Sequence, residues 1–131
     1  EYCFNTLSVG GGATLTADGP VTVYVTGLFY AGANTTVGVA SNPAEFLVLM
    51  TATSEGRFDG ELEGHTSFYG GLYGPTATIK IAGDSRIFGS VIAETIEVAA
   101  GNAEIHYDES LGALATPLSF YRVRVSSWRE P

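Results

Sequence analysis

The sequence predicts an all-β protein: a right-handed parallel β-helix, or solenoid, of about five coils with a packed C-terminal strand. The main indication is a repeat within residues 64–107. One copy covers residues 64–82, a second covers residues 83–100, and a shorter third copy begins at Gly101. The spacings of 19 and 18 residues (64 to 83, 83 to 101) suit a solenoid coil and are too short for a propeller blade or a helical repeat.

Composition supports the same fold class. The chain has 131 residues, enough for one domain with a continuous core, so we assign residues 1–131 to a single domain. Its regular coils are expected over residues 64–107 and a C-terminal extension over residues 112–131. Hydrophobic residues make up 45% of the chain, and the 17 glycines suit a fold with many corners. The right-handed sense follows from the crossover rule for parallel strands.

Charge and hydropathy argue against several classes of function. The chain has 14 acidic and 6 basic residues, a net charge of −8, whereas nucleic-acid binding normally needs an excess of Lys and Arg. No run approaches the roughly 20 apolar residues that cross a bilayer, so no membrane contact is expected from this segment. The chain opens with Glu1 rather than Met, as an excised or processed domain would. Cys3 has no partner for an intramolecular disulfide, and no cofactor is expected.

Strand patterns also precede the repeat. Val21, Val23 and Val25 alternate with polar residues and are expected to face the core. Residues 46–50 form a continuous apolar run, which is typical of a strand buried on both faces. The coils before residue 64 are therefore expected to continue the solenoid with less regular repeats.

Aligning the repeat copies predicts which side chains share a column. Lys80 is expected above Glu97, and Arg86 above Glu104, so that opposite charges meet between neighbouring coils. Each exposed pair is worth about 0.2–1 kcal/mol and mainly fixes the register. The apolar positions of the repeat are expected to point inward: Phe68, Ile79, Ile81, Ile87, Ile96, Val98 and Ile105.

An aromatic column is expected on the outside of the solenoid. If Phe68 and its counterparts point inward, then Tyr69, Phe88 and His106 point outward and stack across three coils. Such a column is either a contact buried under the C-terminal strand, which we prefer, or a docking surface.

The C-terminal segment alternates apolar and basic residues. Tyr121, Val123 and Val125 alternate with Arg122 and Arg124, in a chain whose other parts are mainly acidic. We expect this strand to fold back and cap the solenoid, and the alternative is that it pairs with another subunit. Tyr121, Arg122 and Arg124 therefore join the aromatic column as a possible interaction surface.

Two polar clusters could bind a metal. His106 and Asp108 have the spacing of metal ligands on one strand face, with Glu104 as a third candidate. We prefer capping of the last coil, with a metal site or acid–base chemistry as alternatives, and assign neither metal ligands nor catalytic residues. A second series alternates on one strand and is read as a solvated acidic ridge, because carboxylates ~7 Å apart do not share an ion unaided; it comprises Asp59, Glu61, Glu63 and His65.

Three segments carry a family resemblance: GLYGPTATIKIAG (71–83), FGSVIAETIEVAAGNAEIHYDESL (88–111) and SSWRE (126–130). They resemble the C-terminal solenoid domain of PilX-type proteins, which are bacterial type IV pilus assembly or minor-pilin-like proteins. Gly74 stands where the family pattern usually has Ala. The resemblance implies a non-enzymatic structural or adhesive module, extracellular at the cell surface or pilus-associated. Its partners would be other pilin-like subunits or a surface ligand.

Two other functions stay open at this point. The first is a self-polymerising, cytoplasmic solenoid resembling bactofilins, since stacked coils leave strand edges at both ends. The second is a carbohydrate-active solenoid enzyme that uses Asp59, Glu61 or Asp108.

Overall fold

The computed structural model describes residues 1–51, 54–59, 65–99 and 101–113. These residues form strands and two short 3-10 turns, Pro43–Glu45 and Glu109–Ala113, with no α-helix among them. In chain order the strands are β1 (Tyr2–Val9), β2 (Thr14–Leu15), β3 (Val21–Ala31), β4 (Thr36–Gly38), β5 (Phe46–Met50), β6 (Glu55–Asp59), β7 (Ser67–Ala82), β8 (Arg86–Val98) and β9 (Glu104–Tyr107).

All strand pairs of the described residues are parallel, which confirms the predicted solenoid. The longer strands bend at corners, so one strand contributes to more than one column of stacked, paired segments. The pairings stack into three columns of five strands each, and about four turns separate the first strand of a column from its last. The first column runs from residues 2–4 to residues 90–92, the second from residues 6–9 to residues 95–98, and the third from residues 14–15 to residues 104–106.

The register inside the repeat agrees with the prediction residue by residue. Phe68 lies next to Ile87, which lies next to Ile105, in the third column. In the second column Ile79 lies next to Ile96, and the same register continues from Ile81 to Val98. One repeat copy is therefore one coil, or rung, of the solenoid.

The core is built where the three columns face one another. Phe29 of the second column and Phe46 of the first both meet Phe68 of the third, with edge-to-face ring centroids 5.9 Å and 6.1 Å apart. Such aromatic pairs add about 0.5–1.5 kcal/mol to the effect of area burial. Val25 and Val48 are fully buried beside these rings. The interior is thus filled by side chains and is not a channel.

The strand predicted to be buried on both faces is confirmed. Phe46 and Val48 point into the core. Leu47 points the other way, yet it is only 8% exposed. The reason is the 3-10 turn Glu109–Ala113, which lies outside the first column and brings Leu111 close to Gly71, beside Leu47.

A ladder of buried hydroxyls lines the corner before the third column. The Thr35 and Thr66 hydroxyls both donate to the carbonyl of Gly32 at 2.7 Å, and the Ser85 hydroxyl donates to the carbonyl of Ala82 at 2.6 Å. No buried side-chain polar atom of the described residues lacks a partner. These hydroxyl groups therefore hold the corner in place, and their burial carries little cost because each one is hydrogen-bonded.

One expectation needs a correction. Ile96, Val98 and Ile105 occupy the inward columns as predicted, but they are 41%, 62% and 46% exposed. They belong to the last rung, and the described residues provide no further strand to cover them. The predicted packed strand falls in residues 114–131, outside the described residues, and stays a prediction.

Candidate interaction surface

The outer face of the third column carries a ladder of stacked rings, as predicted. The Tyr69 and Phe88 ring centroids lie 4.8 Å apart and the Phe88 and His106 centroids 4.9 Å apart, with interplanar angles of 9° and 10°. The parallel strands place these residues one above another in register. Because stacking uses the ring faces inside the ladder, the ladder presents ring edges along its length, and an outer ring face is left only at its two ends, Tyr69 and His106.

A row of charges runs beside the aromatic ladder. Arg86 Nε lies 3.4 Å from Glu104 Oε2, which confirms the predicted pair, and His106 Nε2 lies 3.0 Å from the same oxygen. The hydrogen bond from His106, assisted by the charge of Arg86, lowers the pKa of the Glu104 carboxyl despite some desolvation. Glu104 therefore stays ionised and links two rungs of the surface.

The second column carries a similar pair on its outer face. Lys80 Nζ lies 3.8 Å from Glu97 Oε2, again as predicted. Both side chains are about half exposed, so the pair contributes little to stability. In both columns the acidic partner, Glu97 or Glu104, belongs to the last described rung. No described strand lies on the other side of that rung.

The structure brings together two of the three candidate metal ligands. Glu104 and His106 are in contact, whereas Asp108 Oδ1 accepts a hydrogen bond from the Ser110 amide at 2.9 Å. Hydrogen bonds from the Ser110 side chain and amide lower the pKa of the Asp108 carboxyl. Asp108 thus serves to begin the 3-10 turn Glu109–Ala113. Among residues 1–51, 54–59, 65–99 and 101–113, no three His, Cys, Asp or Glu side chains are placed to hold a metal ion.

The predicted acidic ridge falls largely outside the described residues. Glu61 and Glu63 are not described, and for Asp59 only the backbone is. His65 lies at a corner, where its amide donates to Asn34 Oδ1 at 3.4 Å. Two rungs further, Asn102 donates to Asp84 Oδ1 at 3.2 Å from both its amide and its side chain, so this corner column holds successive rungs together.

A cavity at the first rung was not predicted from the sequence. It has a volume of about 640 Å³ and opens where the core begins, between the side chains of the first and second rungs. Phe4, Leu15 and Val21 are among its apolar walls, and Glu1 and Asp18 supply acidic groups. The sequence gives no clear signal for this cavity. The coils before residue 64 repeat too irregularly to show which side chains of the first rung lack a packing partner.

The basic part of the proposed interaction surface, Tyr121, Arg122 and Arg124, lies outside the described residues. Cys3 is exposed and unpaired. A search of the described residues for a helix of membrane-spanning length and hydropathy found none.

Residues 5–114 match the family described as Domain of unknown function (DUF7305). No curated protein and no solved structure matches the chain.

Proposed function

The chain belongs to the DUF7305 family, and we propose that this member is a non-enzymatic structural or adhesive module of a type IV pilus-like surface assembly. The observation that carries the proposal is the shape of the described part. Stacked rungs form a stiff rod, and the outer side of that rod carries the aligned rings of Tyr69, Phe88 and His106. A rod of this kind holds a contact surface at a fixed distance from its point of attachment.

The chemistry of the ring ladder and the charges beside it favours contact with a protein over the binding of a sugar by ring stacking. The rings turn their faces to one another and their edges outward. Arg86, Glu104 and His106 place alternating polar groups beside those edges. Aromatic and Arg side chains in one patch are typical of protein interfaces, whereas a sugar ring stacks on an exposed aromatic face, which this ladder leaves only at its two ends. Other pilin-like subunits are therefore the proposed partners, with a surface ligand as the second possibility.

The location is tested on cells that produce the full-length protein. Antibodies against this domain should label intact cells, and the domain should be recovered with surface fibres that are removed by shearing. Labelling only after the cells are permeabilised would overturn the proposal.

The contact surface is tested by substitution in the same cells. Phe88→Ala should reduce the amount recovered with the fibres, because it interrupts the ring ladder. Lys80→Ala, on the outer face of another column, is the matched control and should leave the recovered amount unchanged. Equal losses for the two variants would contradict the assigned surface.

A self-polymerising solenoid resembling bactofilins is the second candidate, and a specific observation favours it. Apolar side chains are exposed at both ends of the rod: Tyr2 (59%) and Phe4 (39%) on the first rung, and Ile96 and Val98 on the last. Sedimentation of the purified domain at high concentration separates the two proposals. A monomer supports the surface module, and filaments support the polymer.

An enzyme acting on carbohydrate is the third alternative. Of its predicted residues, Asp108 is engaged by Ser110, and the side chains of Asp59 and Glu61 lie outside the described residues. Glycan turnover by the purified domain that is abolished by Asp108→Asn would replace our proposal with this one.

A further inference from the structure

Among the described residues, no strand covers the last edge of the second column. Residues 95–98 of β8 pair with β7 on one side, and β9 pairs only with residues 86–89 of β8. Ile79 and Ile81, one rung below, are fully buried, while Ile96 and Val98 in the same inward positions are 41% and 62% exposed. The last rung thus offers apolar side chains and unpaired backbone groups to a further strand.

The charges at this edge indicate what that strand should carry. Lys80 of the fourth rung pairs with Glu97 of the fifth, and Glu97 is still about half exposed. Arg86 and Glu104 repeat the same arrangement in the third column. A basic residue above Glu97 in a sixth rung would give this carboxylate a second opposite charge, as Lys80 does from the rung below.

The chain contains one segment of that pattern beyond the described residues. Arg122, Val123, Arg124 and Val125 alternate basic and apolar side chains, as Thr95, Ile96, Glu97 and Val98 alternate polar and apolar ones. The sequence from 121 to 129 also holds half of all basic residues of the chain: Arg122, Arg124 and Arg129.

The segment can reach the edge. The 3-10 turn Glu109–Ala113 already contacts β8. The nine residues from Ala113 to Arg122 span up to about 30 Å when extended, more than the distance between neighbouring columns requires.

A second copy of the chain fits this edge less well. The first rung, which would have to stack on it, carries Glu1 and Asp18 beside its exposed Tyr2 and Phe4. Acidic groups would then meet the acidic Glu97 and Glu104, and like charges across an interface disfavour association.

We infer that residues 122–125 form a sixth strand of the second column, parallel to residues 95–98. Val123 then covers Ile96, Arg124 pairs with Glu97, and Val125 covers Val98. The rod closes its own C-terminal end in this way, so that the edge is withheld from other chains. This inference does not depend on the proposed function.

A pair of introduced cysteines tests the register in the full chain. Neighbouring strands lie about 4.8 Å apart, within the Cα separation that a disulfide spans. In a Cys3→Ser background, Glu97→Cys with Arg124→Cys should give an intramolecular disulfide under mild oxidation. The matched control is Glu97→Cys with Arg122→Cys, which keeps the face and the charge change but moves the thiol by two residues. The first pair should cross-link several-fold faster, and the difference should disappear in denaturant.

Each other outcome overturns the inference. Faster reaction of the Arg122 pair replaces the register with one shifted by two residues. Covalent dimers in place of cross-linked monomers mean that the segment lies on a neighbouring copy. Equal, slow reaction of both pairs in the folded chain means that the edge is not covered by this segment. Folding of each variant is checked beforehand by its far-ultraviolet circular dichroism, and both substituted positions are polar or charged rather than core positions.

Discussion

At the residue scale, the close stacking of rungs fixes where glycine is needed. Gly89 has a φ of +153°, and a Cβ added there would overlap the carbonyl of Gly70 in the rung below. Gly38, with a φ of +101°, makes the same approach to the carbonyl of Tyr69. Both lie at the end of a strand segment of the third column, where the chain turns toward the first column. The corner therefore depends on the absence of a side chain.

Gly89→Ala tests this dependence. We expect a clear loss of stability, on the order of 1–3 kcal/mol or more, because the backbone of one rung must move away from the next. Gly10→Ala is the control, since a Cβ at Gly10 meets nothing within 4 Å and its φ is not positive. Equilibrium unfolding in urea measures both, and equal stabilities would show that the corner can relax.

The Glu104 carboxyl gives a prediction on pH. Its pKa is lowered from the ordinary value of 4.5, so its contribution to stability is present above pH 4.5 and is lost as the pH falls through the lowered pKa. Carbon NMR of the Glu104 carboxyl should give a midpoint below 4.5. His106→Phe keeps a stacked ring and removes the hydrogen bond, so it should raise this midpoint more than Arg86→Gln does. A larger effect of Arg86→Gln would contradict the assigned order of causes.

At the element scale, the burial of a side chain depends on its rung as well as on its column. Ile79 and Ile96 occupy neighbouring places in one inward column, yet Ile79 is fully buried and Ile96 is 41% exposed. Phe68 lies in an inner rung and joins all three columns through Phe29 and Phe46. The inner rungs therefore carry most of the hydrophobic stabilisation.

Phe68→Ala tests the role of the inner rungs. We expect a loss of about 3–5 kcal/mol, because the change leaves a cavity where three columns meet. Phe4→Ala removes the same side chain from the first rung, where it is 39% exposed, and should cost distinctly less. Urea unfolding of both variants provides the comparison, and similar losses would mean that the first rung is as well packed as the third.

At the scale of the whole molecule, apolar side chains are exposed on the first and the last rung of the described rod. The first rung exposes Tyr2 and Phe4 beside an open cavity, and the last exposes Ile96, Val98 and Ile105. Exposed strand edges of this kind recruit other chains unless something covers them. Whether these two rungs are covered by other parts of the same protein therefore decides between a separate module and a filament.

Deletion of residues 118–131 tests the C-terminal end. The shortened chain should bind a hydrophobic dye, melt at a lower temperature and tend to associate, because the last rung is then uncovered. Arg122→Glu combined with Arg124→Glu should cost less, since exposed ion pairs contribute little. An unchanged melting temperature after the deletion would indicate a free segment, and its alternating pattern would then suit a strand donated to a neighbouring subunit.

The sequence by itself determined the fold class and the register of the regular coils. A period of 18 or 19 residues with conserved inward and outward positions between copies leaves one way of stacking, and a slip by one residue would turn every apolar side chain outward. The pairs Lys80–Glu97 and Arg86–Glu104 and the ladder of Tyr69, Phe88 and His106 followed directly from that register.

Only the tertiary structure decided those side-chain environments that depend on the position of a coil along the rod. The exposure of Ile96, the engagement of Asp108 by Ser110 and the cavity at the first rung result from which coil lies next to which, and from where stacking stops. A repeat pattern assigns the same environment to every copy. The ends of a solenoid break that equivalence, because a terminal rung has a neighbour on one side only.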